Sequence, residues 1–311
     1  MADQGRRLML LDSASLYFRA FYGVPDSLRA PDGTPVNAVR GLLDFISRLL
    51  NDYRPTDLVA CWDDDWRPQF RVDVVPSYKA HRVADEADPG EEEVPDLLAP
   101  QVPIIANVLA ALGIARLGAP GFEADDVIAT LAEQAGCPVL VVTGDRDLFQ
   151  LVDDRRGIAV VYTAARGVGR ADIVREAWIS DKYDIPGRGY ADFATLRGDP
   201  SDGLPGVKGI GEKTAASLLR QFGDLEAIRA AAADPASGLS ASVRSKLQAG
   251  SDYLDVADRV VHVVRDVPVA EVDTRVPTEP ADSVALTALA ERWGLTGSVE
   301  RVVEQLTAAG R

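Results

Sequence analysis

The sequence predicts an α/β fold with a mainly parallel central sheet flanked by helices, followed by a helical lobe. Three observations carry that reading. Short apolar runs alternate with helical patterns through the first half of the chain, the alternation stops after about Trp178, and a glycine-spaced turn joins helical stretches further on.

The runs are 8–11, 58–62, 139–142 and 158–162, each short enough for one strand. Between the first two, residues 36–53 place Val39, Leu42, Leu43, Ile46, Leu49 and Leu50 at helical spacing, and Pro55 follows as a stop. The stretch 64–100 interrupts the pattern: it is strongly charged, holds five prolines, and its basic half precedes an acidic half. An excursion of that length inside a compact domain is usually functional or disordered. The expected division is a core over 1–178, excursion included, and a helical lobe over 179–311 with its hairpin at about 199–222.

With 47% apolar residues in 311, the chain can bury a substantial core. No run approaches the roughly 20 consecutive apolar residues of a membrane span, and the polar start lacks a secretory signal core, so the expected setting is the cytoplasm with no membrane partner. Cys61 and Cys137 both lie in apolar runs, which suggests neither a disulfide framework nor a zinc site. His262, within Val260-Val261-His262-Val263-Val264, reads as a packing residue. The net charge of −15 argues against nucleic acid unless the acids gather at a metal site and the cations elsewhere.

Position decides that question. Three apolar runs end in acids: Asp12, Asp63, and Asp145 with Asp147. In parallel sheets the ligand crevice lies beyond the carboxyl ends of the strands, so these groups converge. Glu123, Asp125 and Asp126 open a further helix, where the plain alternative is capping. Carboxylates crowded into one crevice repel unless cations sit among them, and an oxygen-only donor set selects hard ions such as Mg²⁺ or Mn²⁺. The implied chemistry is metal-assisted phosphodiester hydrolysis, in which two ions can activate water and neutralise the leaving oxygen.

Residues 204–216, Leu-Pro-Gly-Val-Lys-Gly-Ile-Gly-Glu-Lys-Thr-Ala-Ala, read as a helix-hairpin-helix. Gly206, Gly209 and Gly211 permit a tight turn with positive φ, and Ile210 packs between the helices. Lys208 and Lys213 add charge to helix N-terminal amides that suit a phosphate, with no means of reading bases. Just upstream, Asp199 and Asp202 look like ligands from the second lobe. Within the basic excursion, residues 66–71 and 77–82 mix cations with aromatics, the combination that tracks a phosphate backbone and stacks on bases. Lys79 and Arg82 would share a face if that stretch is helical.

Together these motifs resemble the 5′-nuclease (flap endonuclease) family, in particular the nuclease domain of bacterial DNA polymerase I, over nearly the whole chain. The resemblance implies Asp12, Asp63, Glu123, Asp125 and Asp126 around one metal, and Asp145, Asp147, Asp199 and Asp202 around a second. It implies a helical arch within 64–100 through which a 5′ strand passes, with Tyr78 stacking, Arg71 binding DNA, and Lys79 and Arg82 catalytic on the phosphate. It also implies K⁺ among carbonyls of the hairpin. The substrate would be branched or 5′-ended DNA, RNA-containing flaps among them, and a separate polymerase and ligase would act beside a monomer. Asp64, Asp65 and Trp66 depart from the more basic pattern of relatives and put the entry to the arch in doubt. Two other classes stand against the nuclease: a non-catalytic branched-DNA-binding protein, against which the complete acid set argues, and a small RNA-cleaving nuclease, which leaves the hairpin and the basic excursion unexplained.

Overall fold

The computed structural model describes residues 5–83, 92 and 94–309. Six strands form one sheet: β1 (Leu8–Asp12), β2 (Asp57–Cys61), β3 (Ala115–Leu117), β4 (Val139–Thr143), β5 (Ile158–Tyr162) and β6 (Asp172–Val174). Their order is β3-β2-β1-β4-β5-β6, parallel except for the antiparallel β5–β6 pair. The expected α/β fold is present, with β3 and β6 added at the two edges. The chain builds outward from β1 in one direction through β2 and β3, and in the other through β4 to β6. That reversal between β1 and β4 opens a crevice at the carboxyl ends.

Alternation along the strands feeds two cores. Leu8 and Leu10 of β1 face a core shared with the helix Ala124–Gln134 and the second lobe, whereas Met9 and Leu11 face one with the helices Asn37–Tyr53 and Gln101–Leu112. Near-continuous apolar strands are what a sheet covered on both faces requires. Cys61 is buried in β2 and Cys137 is half-buried; both are free thiols.

The expected lobe boundary at 178/179 falls inside the helix Glu176–Tyr183, so helix packing and not a linker joins the lobes. Nor does the helical lobe run to 311. The chain returns to the first lobe at Thr274, whose carbonyl accepts the Leu58 N–H at 2.7 Å, while Val276 N–H donates to Thr56 at 2.9 Å. The helix Thr296–Ala309 then lies on Asn37–Tyr53, and Ser283–Trp293 on Gln101–Leu112. Helical periodicity alone does not say which core a helix covers, and here it is the sheet's outer face. No helix among the described residues is long and apolar enough to cross a membrane.

Leu306 is fully buried in that returning helix. Leu306→Ala is expected to lower the unfolding free energy by about 2–5 kcal/mol in urea melts; a loss near zero would mean that the C-terminal helices are not part of the core.

Candidate active site

The sheet itself sets the acids around the crevice. Asp12 closes β1 beside Thr143 of β4, whose Oγ1 donates to Asp12 Oδ2 at 2.6 Å. Asp12 also accepts the Ser15 N–H at 3.1 Å and so caps the helix Ser13–Gly23. Two residues past β4, the Asp145 N–H donates to Thr143 Oγ1 at 2.8 Å, and Asp145 Oδ1 accepts the Asp147 N–H at 2.9 Å. Beyond β2, Asp63 Oδ1 accepts the Ala124 N–H at 2.8 Å, the first amide of the helix Ala124–Gln134, and this draws Glu123 and Asp125 alongside. The second lobe supplies Asp199, which caps the short 3-10 turn Pro200–Asp202 through the Ser201 N–H at 2.9 Å.

A cavity of about 350 Å³ lies between these groups, walled by Asp12, Asp63, Glu123, Asp125, Asp145 and Asp199. Lys79, Arg82 and Arg146 line it as cations, with Ser15, Phe18 and Glu92. Asp147 and Asp202 stand behind this wall, and Asp147 Oδ1 is buried without a hydrogen-bond partner. Burial pushes Asp12 up to about 7, with the charges of Asp63 and Asp145 adding to it against the Thr143 and Ser15 hydrogen bonds. Burial, then the neighbouring acids Asp12, Asp145 and Glu123, raises Asp125 well above the carboxylate range. Asp147 is raised by burial and then by Asp145, Asp202 and Asp199.

Among the described residues no three of these acids close on one point tightly enough to grip an ion together. The donor set nevertheless fits a hard divalent cation: oxygen only, crowded enough to raise its own proton affinity, and with one carboxylate oxygen left unsatisfied.

The structure corrects three of the expected roles. Arg71, expected on DNA, is 2% exposed and clamps Asp126 with both guanidinium ends, at 2.9 and 2.7 Å. Asp126, expected on a metal, has its oxygens taken by Arg71, by the Val264 N–H at 2.8 Å and by the Glu123 N–H at 3.3 Å. It forms a capping box with Glu123, so for Asp126 the plain capping alternative holds. Tyr78, expected to stack, is 3% exposed, and its hydroxyl lies 2.9 Å from Glu123 Oε1 as a donor. In each case a buried carboxylate needed a partner, and the nearby Arg or Tyr met that need first.

Lys79 and Arg82 do reach the cavity, though not from one helix. Lys79 adopts the left-handed conformation (φ 47°) just before the 3-10 turn Ala80–Arg82, with its Nζ 3.1 Å from Glu123 Oε2. Burial alone would lower the Lys79 pKa, but Glu123, Tyr78 and Asp202 outweigh it and hold the amine charged. Arg82 Nη2 lies 2.9 Å from Asp202 Oδ1. The Ser77–Lys79 segment is stitched to the second lobe: Lys79 N–H donates to the Asp202 carbonyl at 2.9 Å and Ser77 Oγ to the Gly203 carbonyl at 2.8 Å. A Cβ on Gly203 (φ 69°) would fall 2.1 Å from the Ser77 carbonyl oxygen, so only glycine permits the approach.

Of the expected arch, the described part holds only the helix Gln69–Val74 and the turn Ala80–Arg82; residues 84–91 and 93 lie outside the described residues. The hairpin joins the helices Tyr190–Arg197 and Glu212–Phe222. Gly206 and Gly209 have φ of 63° and 82°, but Gly211 is extended (φ −92°, ψ −177°) and serves as the N-cap of the second helix. Ile210 is buried between the helices, while Lys208 and Lys213 are exposed. His262 is half-exposed, with its Nε2 3.5 Å from Asp258, and not a packing residue. Arg146 and Glu92 were missed in the sequence; the position of Arg146 between two expected ligands was the available signal, and nothing marked Glu92.

Comparison with known proteins follows this geometry. The family model described as the 5′-3′ exonuclease N-terminal resolvase-like domain matches residues 7–184, and that of the 5′-3′ exonuclease C-terminal SAM fold matches 185–283. The chain is 61% identical over 302 residues to a 5′-3′ exonuclease of Streptomyces coelicolor, covering 96% of this chain and all of that one. It is 50% identical to a 5′-3′ exonuclease of Mycobacterium tuberculosis, over 96% of this chain and 97% of that one. A phage T5 flap endonuclease variant, solved in a pseudo-enzyme–product complex with DNA and metal ions, superposes with a TM-score of 0.64 at 19% identity, over 98% of this chain and 100% of that one.

Two outcomes follow from the site's electrostatics. Arg71→Met strands Asp126 without its buried cation, leaves Glu123 only Lys79 as a cation, and is expected to cost about 3–5 kcal/mol of stability, read by denaturant melts. For Asp12, the folded state binds a proton up to about pH 7 while the unfolded chain releases it near 3.8, so stability falls as pH rises between those values. The metal-free protein should therefore melt higher at about pH 5 than at about pH 8, and millimolar Mn²⁺ should restore the higher midpoint at the alkaline end. A midpoint indifferent to both would contradict the crowded-carboxylate account.

Proposed function

We propose, from the premise that this chain belongs to the 5′-3′ exonuclease family, that it is a divalent-metal-dependent nuclease hydrolysing DNA phosphodiesters from 5′ ends and at 5′-flap junctions. The observation that carries this reading is one cavity where acids of both lobes meet under Lys79 and Arg82, in the same chain as a lysine-bearing hairpin. The named relatives are 5′-3′ exonucleases, and the superposing phage enzyme was solved with DNA and metal ions.

The residues divide the work by position. Asp12, Asp63, Glu123, Asp125, Asp145, Asp147, Asp199 and Asp202 would hold divalent cations, which when bound would supply an activated water and charge neutralisation at the leaving oxygen. Lys79, held charged at the cavity wall, meets the scissile phosphate and stabilises charge that grows on it. Arg82, half-exposed at the rim, exchanges Asp202 for a phosphate oxygen. Arg71 and Tyr78 act only through Glu123 and Asp126, holding those carboxylates in place. Lys208, Lys213 and the exposed N-terminus of the helix Glu212–Phe222 hold duplex phosphates without reading sequence.

In this reading the working ion is Mg²⁺ or Mn²⁺, RNA-containing flaps are accepted, and the protein acts as a cytoplasmic monomer beside a separate polymerase and ligase. The acids that remain once Asp126 is set aside, Asp199 and Asp202 above all, disfavour the non-catalytic alternative.

The test is cleavage of a 5′-flap duplex with Mn²⁺ or Mg²⁺. Asp125→Asn, Asp202→Asn and Lys79→Ala should each slow cleavage by roughly 10²–10³-fold, while duplex binding in Ca²⁺ persists. Tight binding with no cleavage by the unmodified protein would move the assignment to a structural DNA-binding role.

A further inference from the structure

We propose that Lys246 supplies the cation at the hairpin turn of this chain, so that its grip on duplex DNA does not depend on K⁺. The inference rests on the duplex-binding reading of the hairpin. Family resemblance implies K⁺ among the turn's carbonyls, and the residues around the turn do not fit that ion.

Lys246 lies in the helix Ala241–Ala249, and its Nζ donates to the Gly209 carbonyl at 3.0 Å. A Cβ placed on Gly209 would stand 3.0 Å from Lys246 Cε and 3.3 Å from Nζ, so the end of the lysine covers the turn itself. Its helix is fixed there from both sides. The neighbouring Leu247 is buried, and Gly250, just past the helix end, comes so close to the hairpin that a Cβ would lie 3.1 Å from Val207 Cγ1. The Val207 carbonyl meanwhile accepts the Ile210 N–H at 2.9 Å.

A monovalent ion seated on the Gly209 oxygen would share it with an ammonium already at hydrogen-bond distance, and two cations that close disfavour double occupancy. An ammonium has three donors, and one goes to Gly209; the others are free for a phosphate that approaches between exposed Lys208 and Lys213. A positive charge borne by the chain therefore stands where a mobile one would otherwise be recruited.

The experiment measures dissociation constants for a blunt DNA duplex with Ca²⁺, in KCl and in NaCl of equal ionic strength. The unmodified protein should bind within about twofold in the two salts, whereas Lys246→Met should weaken binding in NaCl by roughly fivefold or more and recover part of the loss in KCl. Lys246→Arg, which keeps the charge, should behave as the unmodified protein. A strong K⁺ requirement in the unmodified protein, or a Lys246→Met variant that binds identically in both salts, overturns the inference while leaving the nuclease reading intact. Failure of the unmodified protein to bind duplex in either salt overturns the duplex-binding reading and this inference with it.

Discussion

Crowded carboxylates in a partly dry crevice set the terms for the rest of this molecule. Burial, and then the charge of neighbouring acids, raises the proton affinity of Asp12, Asp63, Asp125, Asp147 and Asp202, so the fold must supply positive charge or hydrogen-bond donors from within. It does so in layers. Thr143, Ser15 and the Ala124 amide hold the strand-end acids, and Arg71 with Tyr78 holds Glu123 and Asp126. Lys79 and Arg82 face the cavity itself. The excess of negative charge left over is what a divalent ion answers, which is why an acidic protein and a phosphate-cleaving site are compatible.

Much of this was legible in the sequence because it follows from periodicity and from where acids stop apolar runs. The four long strands, the convergence of Asp12, Asp63 and Asp145 and the turn glycines Gly206 and Gly209 all have local signatures. Edge strands β3 and β6 did not, since three residues carry too little alternation to read. The roles of Arg71, Tyr78 and Asp126 were illegible for another reason. A cation in a basic stretch looks the same whether it meets DNA or a buried acid, and only the 2.7 Å contact across 55 residues decides it. The destination of the C-terminal helices was hidden likewise, because an amphipathic face does not name the surface it covers.

The lobes are joined more firmly than a linker would allow. Arg71 ties the helix Gln69–Val74 to Asp126, which also accepts the Val264 N–H from beyond the helical lobe. Around the cavity, Asp199 and Asp202 come from the loop that leads directly into the hairpin. One connected set of contacts thus spans the sheet, the excursion and the hairpin turn.

The close approach of Gly203 to Ser77 makes that connection rigid at its most sensitive point. The amide of Lys79 hangs on the Asp202 carbonyl, and no side chain separates the two backbones. Hairpin and cavity lysine are consequently one module in the engineering sense. A hairpin grafted from a relative would bring its own loop geometry and misplace the amine unless residues 77–82 were exchanged with it, so swaps that respect the lobe boundary in sequence would cut through the unit that matters.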